Sequence, residues 1–283
     1  MGFLDFFKSK EGEPFHHKGE KNIILRDGRH YVMDCENVVV CRKAVVLEST
    51  NSTYSKVSGK AKIQVFNSGT IKLLTGKATL GFLKEGFVTE VSGRATITTV
   101  NNGEIQYLKK KSKIGTFNAG LVKFLDGKSK IETFNDGKIL FVRDKASIGT
   151  IIEGEIANVI DKTRITTIMN GNVKYATEKC VIGTINDGFV ENVCDKAKIL
   201  TLNNGKIGVM MGEAEVVNKI SGEIVEINGK SRVAYNNNDP QIDSVENLVK
   251  DEPVEENLAD EEAVNANQEN DNLEETENST DNV

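Results

Sequence analysis

A basic residue returns every 17 positions along most of this chain: Lys43, Lys60, Lys77, Arg94, Lys111, Lys128, Lys145, Lys162, Lys179 and Lys196. Cations at a fixed interval can do one kind of chemistry, non-specific pairing with the phosphates or carboxylates of an anionic polymer. The nine from Lys60 to Lys196 form the candidate ladder for nucleic acid or an acidic glycan. Two features weigh against it. Asp144, Asp161, Glu178 and Asp195 directly precede lysines of the ladder and offset its field. No aromatic residue is interleaved for base stacking. Gly-Lys and Asp-Lys pairs also make ordinary solvated corners.

Other chemistry finds less support. Thr99, Thr116, Thr133, Thr150, Thr167, Thr184 and Thr201 share the interval. They lack the T-x-T pairing of ice-binding solenoids, and Thr is a good strand residue. Asn67, Asn101, Asn118, Asn135, Asn186 and Asn203 read as a structural side-chain ladder at a corner. The three histidines, His16, His17 and His30, precede the repeats, with no nucleophile–base motif around them. His30, Asp34, Cys35 and Cys41 fit no standard zinc spacing. The expectation is therefore no catalytic residue, no metal, no cofactor and no small-molecule substrate.

The interval itself dictates the elements. Gly69, Gly86, Gly103, Gly120, Gly137, Gly154, Gly171, Gly188, Gly205 and Gly222 are each 17 residues apart, the mark of a repeat array. Apolar columns keep the same phase, for example Ile97, Ile114, Ile131 and Ile148, or Val100, Phe117 and Phe134. A small-residue column runs from Ala61 through Ser112 and Cys180 to Ala214. Two helices and their turns do not fit in such a unit, and its Ile, Val, Thr and Phe favour strands. Asn-Gly and Asp-Gly pairs such as Asn102-Gly103 and Asp136-Gly137 mark turns that call for a positive φ. One unit cannot bury its own apolar side chains, but stacked units can. The fold class is all-β, a single-stranded parallel β-helix or solenoid with two or three short strands per coil. Glycine also alternates at a second position (Gly81, Gly115, Gly149, Gly183), a period of 34.

Four segments follow. Residues 1–21 read as a flexible N-terminal segment. Within it Phe3, Leu4, Phe6 and Phe7 form a short apolar stretch that would dock on a membrane or a partner. Residues 22–41 are strand-like but out of phase, and read as an N-terminal cap with a hairpin turn at Asp27-Gly28. The array spans residues 42–235, about 11 coils. Residues 236–283 hold 16 acids against Lys250 alone, so they carry −15 of a chain with 42 acids and 36 bases. The rest holds 26 acids and 35 bases, a net +9. Such an acidic tail, without aromatics, is expected to be disordered. No run of 18 apolar residues and no signal-peptide pattern is present, and the four cysteines make no disulfide framework. A cytoplasmic setting is expected, at the membrane periphery or within a virion as variants of it.

The array is similar to bacterial and viral parallel β-helix proteins, and within them it resembles the bactofilins, a cytoskeletal family. The likeness rests on the short coils, the apolar bore, the N-terminal Phe3, Leu4, Phe6 and Phe7, and the tails. It implies a non-enzymatic structural or scaffold protein, either a bactofilin-like cytoskeletal polymer or a phage or viral structural component, with protein partners or self-association. The alternatives are a binding module for an anionic polymer and a β-helix carbohydrate-active enzyme.

Overall fold

The computed structural model describes residues 13–235. They form 27 strands, numbered in chain order from β1 (Phe15–Lys18) to β27 (Arg232–Tyr235). Odd-numbered strands make one sheet of 14 strands and even-numbered strands a second of 13, each in unbroken chain order. Every strand pairing is parallel. The chain therefore climbs as a β-solenoid of about 13 turns, two strands to a coil. At ~4.8 Å per turn the stack is roughly 60 Å long.

The array begins earlier than the 17-residue phase indicates. β2 (Ile24–Leu25) and β3 (Arg29–Met33) flank Asp27-Gly28 but lie in different sheets, so there is no hairpin. β3 pairs in parallel with β1 on one side and with β5 (Val45–Thr50) on the other. Residues 22–41, and the part of the N-terminal segment from Phe15, are thus coils of the same solenoid. Their phase is hidden because the spacing is shorter: Phe15 pairs with His30 and Val38 with Tyr54. Register shifts at His30/Tyr31 and Val38/Val39 then bring the chain into the strict repeat. At the other end Val233 pairs with Val216, as its column requires.

The two sheets bury one continuous core along the whole stack, in which Ile97, Ile114, Phe117 and Ile131 are fully buried. In the strands from β7 (Lys62–Phe66) to β24 (Lys206–Met210) the core side chains are three apart, as in β13 (Lys113–Phe117), where Ile114 and Phe117 face inward and Gly115 and Thr116 do not. A plain strand alternates every second residue, so each of these carries a jog. The pairing skips that residue: Ile114 pairs with Ile131 and Thr116 with Thr133, while Gly115 has no mate in the register. The alternating glycines sit at this jog, where a Cβ on Gly115 would stand 2.6 Å from the Thr98 carbonyl oxygen.

The glycines that set the 17-residue interval are required for two different reasons. Gly69, Gly86, Gly120, Gly137 and Gly222 have φ between 94° and 120°. At Gly103, Gly154, Gly171, Gly188 and Gly205 the expected positive φ is absent. These five are buried, and a Cβ there would run into a core side chain of the coil before, Ile151 in the case of Gly171. The small-residue column is equally constrained. Ala61, Ser112, Cys180 and Ala214 are buried immediately after a turn, where the chain bends too tightly for a larger side chain.

Candidate functional site

The basic residues expected to form a ladder do stack on one corner. Each is the second residue of a two-residue turn, and each turn bonds to the one below it. Lys60 N donates to Arg42 O at 2.8 Å, Lys77 N to Gly59 O at 2.8 Å, and Lys162 N to Asp144 O at 3.0 Å. Lys60, Lys77, Arg94, Lys111, Lys128, Lys145, Lys162, Lys179 and Lys196 are all exposed. Among the described residues only Lys196 of this set closes an ion pair, with Glu213 at 3.3 Å. Phe3, Leu4, Phe6 and Phe7, and the acidic tail, lie outside the described residues.

Asp144, Asp161, Glu178 and Asp195 do not pair with the neighbouring lysines. Asp144 Oδ2 accepts from Gly127 N at 3.0 Å, Asp161 Oδ2 from Asp144 N at 2.8 Å, and Asp195 Oδ2 from Glu178 N at 3.2 Å. Each carboxylate caps the first amide of the turn one coil below. The corner is therefore divided. From Arg42 to Lys128 the turn residues are Arg, Lys or Gly, with no acid among them. From Asp144 to Lys196 each turn holds one acid and one base. Surface grooves run along both parts, one lined by Arg42, Lys43, Gly59, Lys60, Gly76 and Lys77, the other by Gly127, Lys128, Asp144, Lys145, Asp161, Lys162, Glu178 and Lys179.

An aromatic ladder stands beside the middle of this corner and was not anticipated. Tyr107, Phe124 and Phe141 stack with centroids 5.1 and 5.4 Å apart and planes within 13°. Lys109 lies 4.1 Å from the Tyr107 ring and Arg143 lies 4.8 Å from that of Phe124. Arg143 also forks onto Asp126, Nε to Oδ1 at 2.7 Å and Nη2 to Oδ2 at 3.1 Å, and this bonding raises its pKa further. The signal was in the sequence, since the three aromatics share the 17-residue interval. It concerns only three coils and is masked by Glu90 and Asn158 on either side of it in the column.

Polar ladders run elsewhere. Asn118 Nδ2 donates to Asn101 Oδ1 at 3.0 Å and Asn135 Nδ2 to Asn118 Oδ1 at 2.7 Å. The threonines from Thr99 to Thr201 pair in register and are half-buried. At the first coils His17 Nδ1 faces both Glu20 carboxylate oxygens at 3.1 Å, and His17 Nε2 faces His30 Nδ1 at 3.1 Å. His30 Nε2 donates to Asp27 O at 2.9 Å, and burial lowers the His30 pKa. Cys35 is buried with its Sγ donating to Met33 O at 3.2 Å. Among the described residues no group of three or more His, Cys, Asp or Glu is placed to hold a metal ion, and no helix is long and apolar enough to cross a membrane.

Against known proteins, no family model matches the chain, and no curated protein and no solved structure matches it.

Proposed function

We propose that this chain is a non-enzymatic structural rod that works by self-association and by presenting repeated side chains to partners. One observation carries this reading: two parallel sheets run from end to end of the described residues, and their last strands have a mate on one side only. Among the described residues β1 and β2 leave one edge open, β26 (Glu223–Ile227) and β27 the other. Ile24 and Met33 are exposed near the first edge, and Ile220, Val225 and Tyr235 near the second. An unpaired edge beside apolar side chains is a template for another strand. A second copy supplies such strands with the same parallel polarity, which leads to head-to-tail filaments like those implied by the bactofilin resemblance.

Sedimentation velocity over a concentration series tests this. Growth of large species with concentration is expected, and Ile24→Lys with Val225→Lys should return the protein to a single small species. A wild-type chain that stays monomeric at every concentration contradicts the reading.

The cation line supports a second role for the same rod, retention of an anionic polymer. Salt-dependent retention on heparin, lost when several of Lys60, Lys77, Arg94 and Lys111 are reversed to Glu, would be its signature.

A further inference from the structure

The counter-charges on the basic corner narrow both the stretch that binds and the ligand it takes. Gly127, Asp144 and Glu178 donate their turn amides to carboxylates from the next coil. The equivalent amides of Arg42, Gly59 and Gly76 have no acceptor among the described residues. What stands above them explains this. A Cβ on Gly59 would lie 3.0 Å from Arg42 N, one on Gly76 3.0 Å from Gly59 N, and one on Gly93 3.0 Å from Gly76 N. The side chain of this column thus covers the amide below it. Where the column is Asp, a carboxylate sits there; where it is Gly, the place is a notch.

Backbone conformation alone does not demand those glycines. The same turn position has φ of +64° at Lys110, +64° at Asp144, +61° at Glu178 and +59° at Asp195. Residues other than glycine therefore hold this conformation in the same corner. Glycine at 59, 76 and 93 removes the internal carboxylate while Lys43, Lys60, Lys77 and Arg94 remain exposed around the vacated positions. Turn amides without an acceptor among the described residues, flanked by exposed cations, bind oxyanions through charge-assisted hydrogen bonds.

We propose that the corner from Arg42 to Arg94 is a docking track for a carboxylate-rich polypeptide segment of a partner. Its Asp or Glu side chains occupy on Arg42, Gly59 and Gly76 the position that Asp144, Asp161 and Asp195 occupy further along the rod. The carboxylate is the occupant already seen in this geometry, which favours an acidic peptide over nucleic acid. The stretch also carries no outward aromatic at its turns, whereas single-stranded nucleic acid depends on stacking. Coils repeat every ~4.8 Å, so three notches cover roughly 10 Å, the reach of about three to four extended residues. The inference deepens the polymer-retention reading and rests on it. It is independent of whether the rod polymerises.

The test is fluorescence anisotropy with the full chain and a labelled octaglutamate peptide, beside a labelled oligothymidine of equal charge and heparin. The expected result is saturable binding of octaglutamate in preference to the oligothymidine. The triple variant Gly59→Asp, Gly76→Asp, Gly93→Asp fills the notches with the chain's own carboxylates and should weaken the peptide about tenfold or more. Lys145→Ser, Lys162→Ser and Lys179→Ser, further along the same corner, should change it less than about twofold. Circular dichroism checks that both variants keep their strands; if the Asp variant does not, Gly59→Asn, Gly76→Asn, Gly93→Asn fills the notches without charge and should weaken the peptide likewise. Equal loss in the notch and Lys145 sets overturns the notch assignment. Binding of oligothymidine or heparin without octaglutamate overturns the ligand but leaves polymer retention standing. Binding of none of the three overturns both.

Discussion

At the residue scale the structure turns on how each side chain meets its copy one coil away. The asparagine ladder shows what happens when a copy is missing. Asn135 donates to Asn118, but the next residue of the column is Ile152, and the buried Asn135 Oδ1 is left without a partner. Ile152 is 38% exposed, so its replacement disturbs little packing. Ile152→Asn should therefore extend the ladder and stabilise the protein by about 1 kcal/mol, read as a higher Tm. Gly171 is the opposite case. Its Cβ would collide with the Ile151 side chain and stand 2.9 Å from Gly154 O. Gly171→Ala should cost about 1–3 kcal/mol as overpacking, while Gly19→Ala, with nothing within 4 Å but a φ of +69°, should cost only about 1 kcal/mol. Chemical denaturation of the two variants side by side measures the difference. The glycine interval was plain in the sequence, yet the cause at Gly103, Gly154, Gly171, Gly188 and Gly205 was not. An Asn-Gly pair reads as a positive-φ turn, and only the stacked coil reveals that the absent atom is what matters.

The strands show why one part of the array was legible and another was not. From Val45 onward each strand meets a copy 17 residues away, so columns of Ile, Val and Phe line up on paper as they do in the core. In the first coils the same inward-facing residues exist, Val32, Val38 and Val40 among them, but the strands are shorter, two residues in β2 and three in β4 (Val38–Val40), and the interval is lost. The jog within each strand was equally hidden, because a three-residue spacing of apolar positions does not by itself announce which residue drops out of the pairing. The first coils have a further property. His30 is buried against Phe15 and His17, with Glu20 beyond His17 and the Asp27 carbonyl as its partner; burial lowers its pKa. An unfolded histidine near its ordinary pKa of about 6.5 takes up a proton more readily than this one. Below that pH the unfolded coil is favoured by proton binding, so stability contributed above it is lost as the pH falls through the lowered value. Hydrogen exchange should show residues 15–33 opening on going from pH 7.5 to 5, with the strands from Val45 onward unaffected. Uniform protection across that range would contradict it.

For the molecule as a whole, nearest-neighbour stacking is the organising fact. Each coil contacts the ones above and below, and stability is close to a sum over coils and their interfaces. The glycine jogs repeat every second coil, so the unit that can be removed without a misfit is 34 residues. Deletion of 115–148 joins Ile114 to Gly149 and sets Gly149 over Thr98, where Gly115 stood. That variant should keep its strand content by circular dichroism and melt cooperatively. Deletion of 115–145, out of phase by three residues, should not fold past the junction. The same logic governs the ends. Repeat arrays need their last coils covered, and here both sheets finish with open edges among the described residues beside exposed apolar side chains. The divided corner adds direction to the rod, with uncompensated cations toward one end and amide-capping carboxylates toward the other.

The measurement that bears most directly on the structural-rod reading is electron microscopy of the full-length protein at physiological salt over a range of concentrations. The account predicts unbranched filaments whose length grows with concentration and whose width is that of a single two-sheet coil. Discrete short rods of constant length at every concentration would contradict end-to-end assembly.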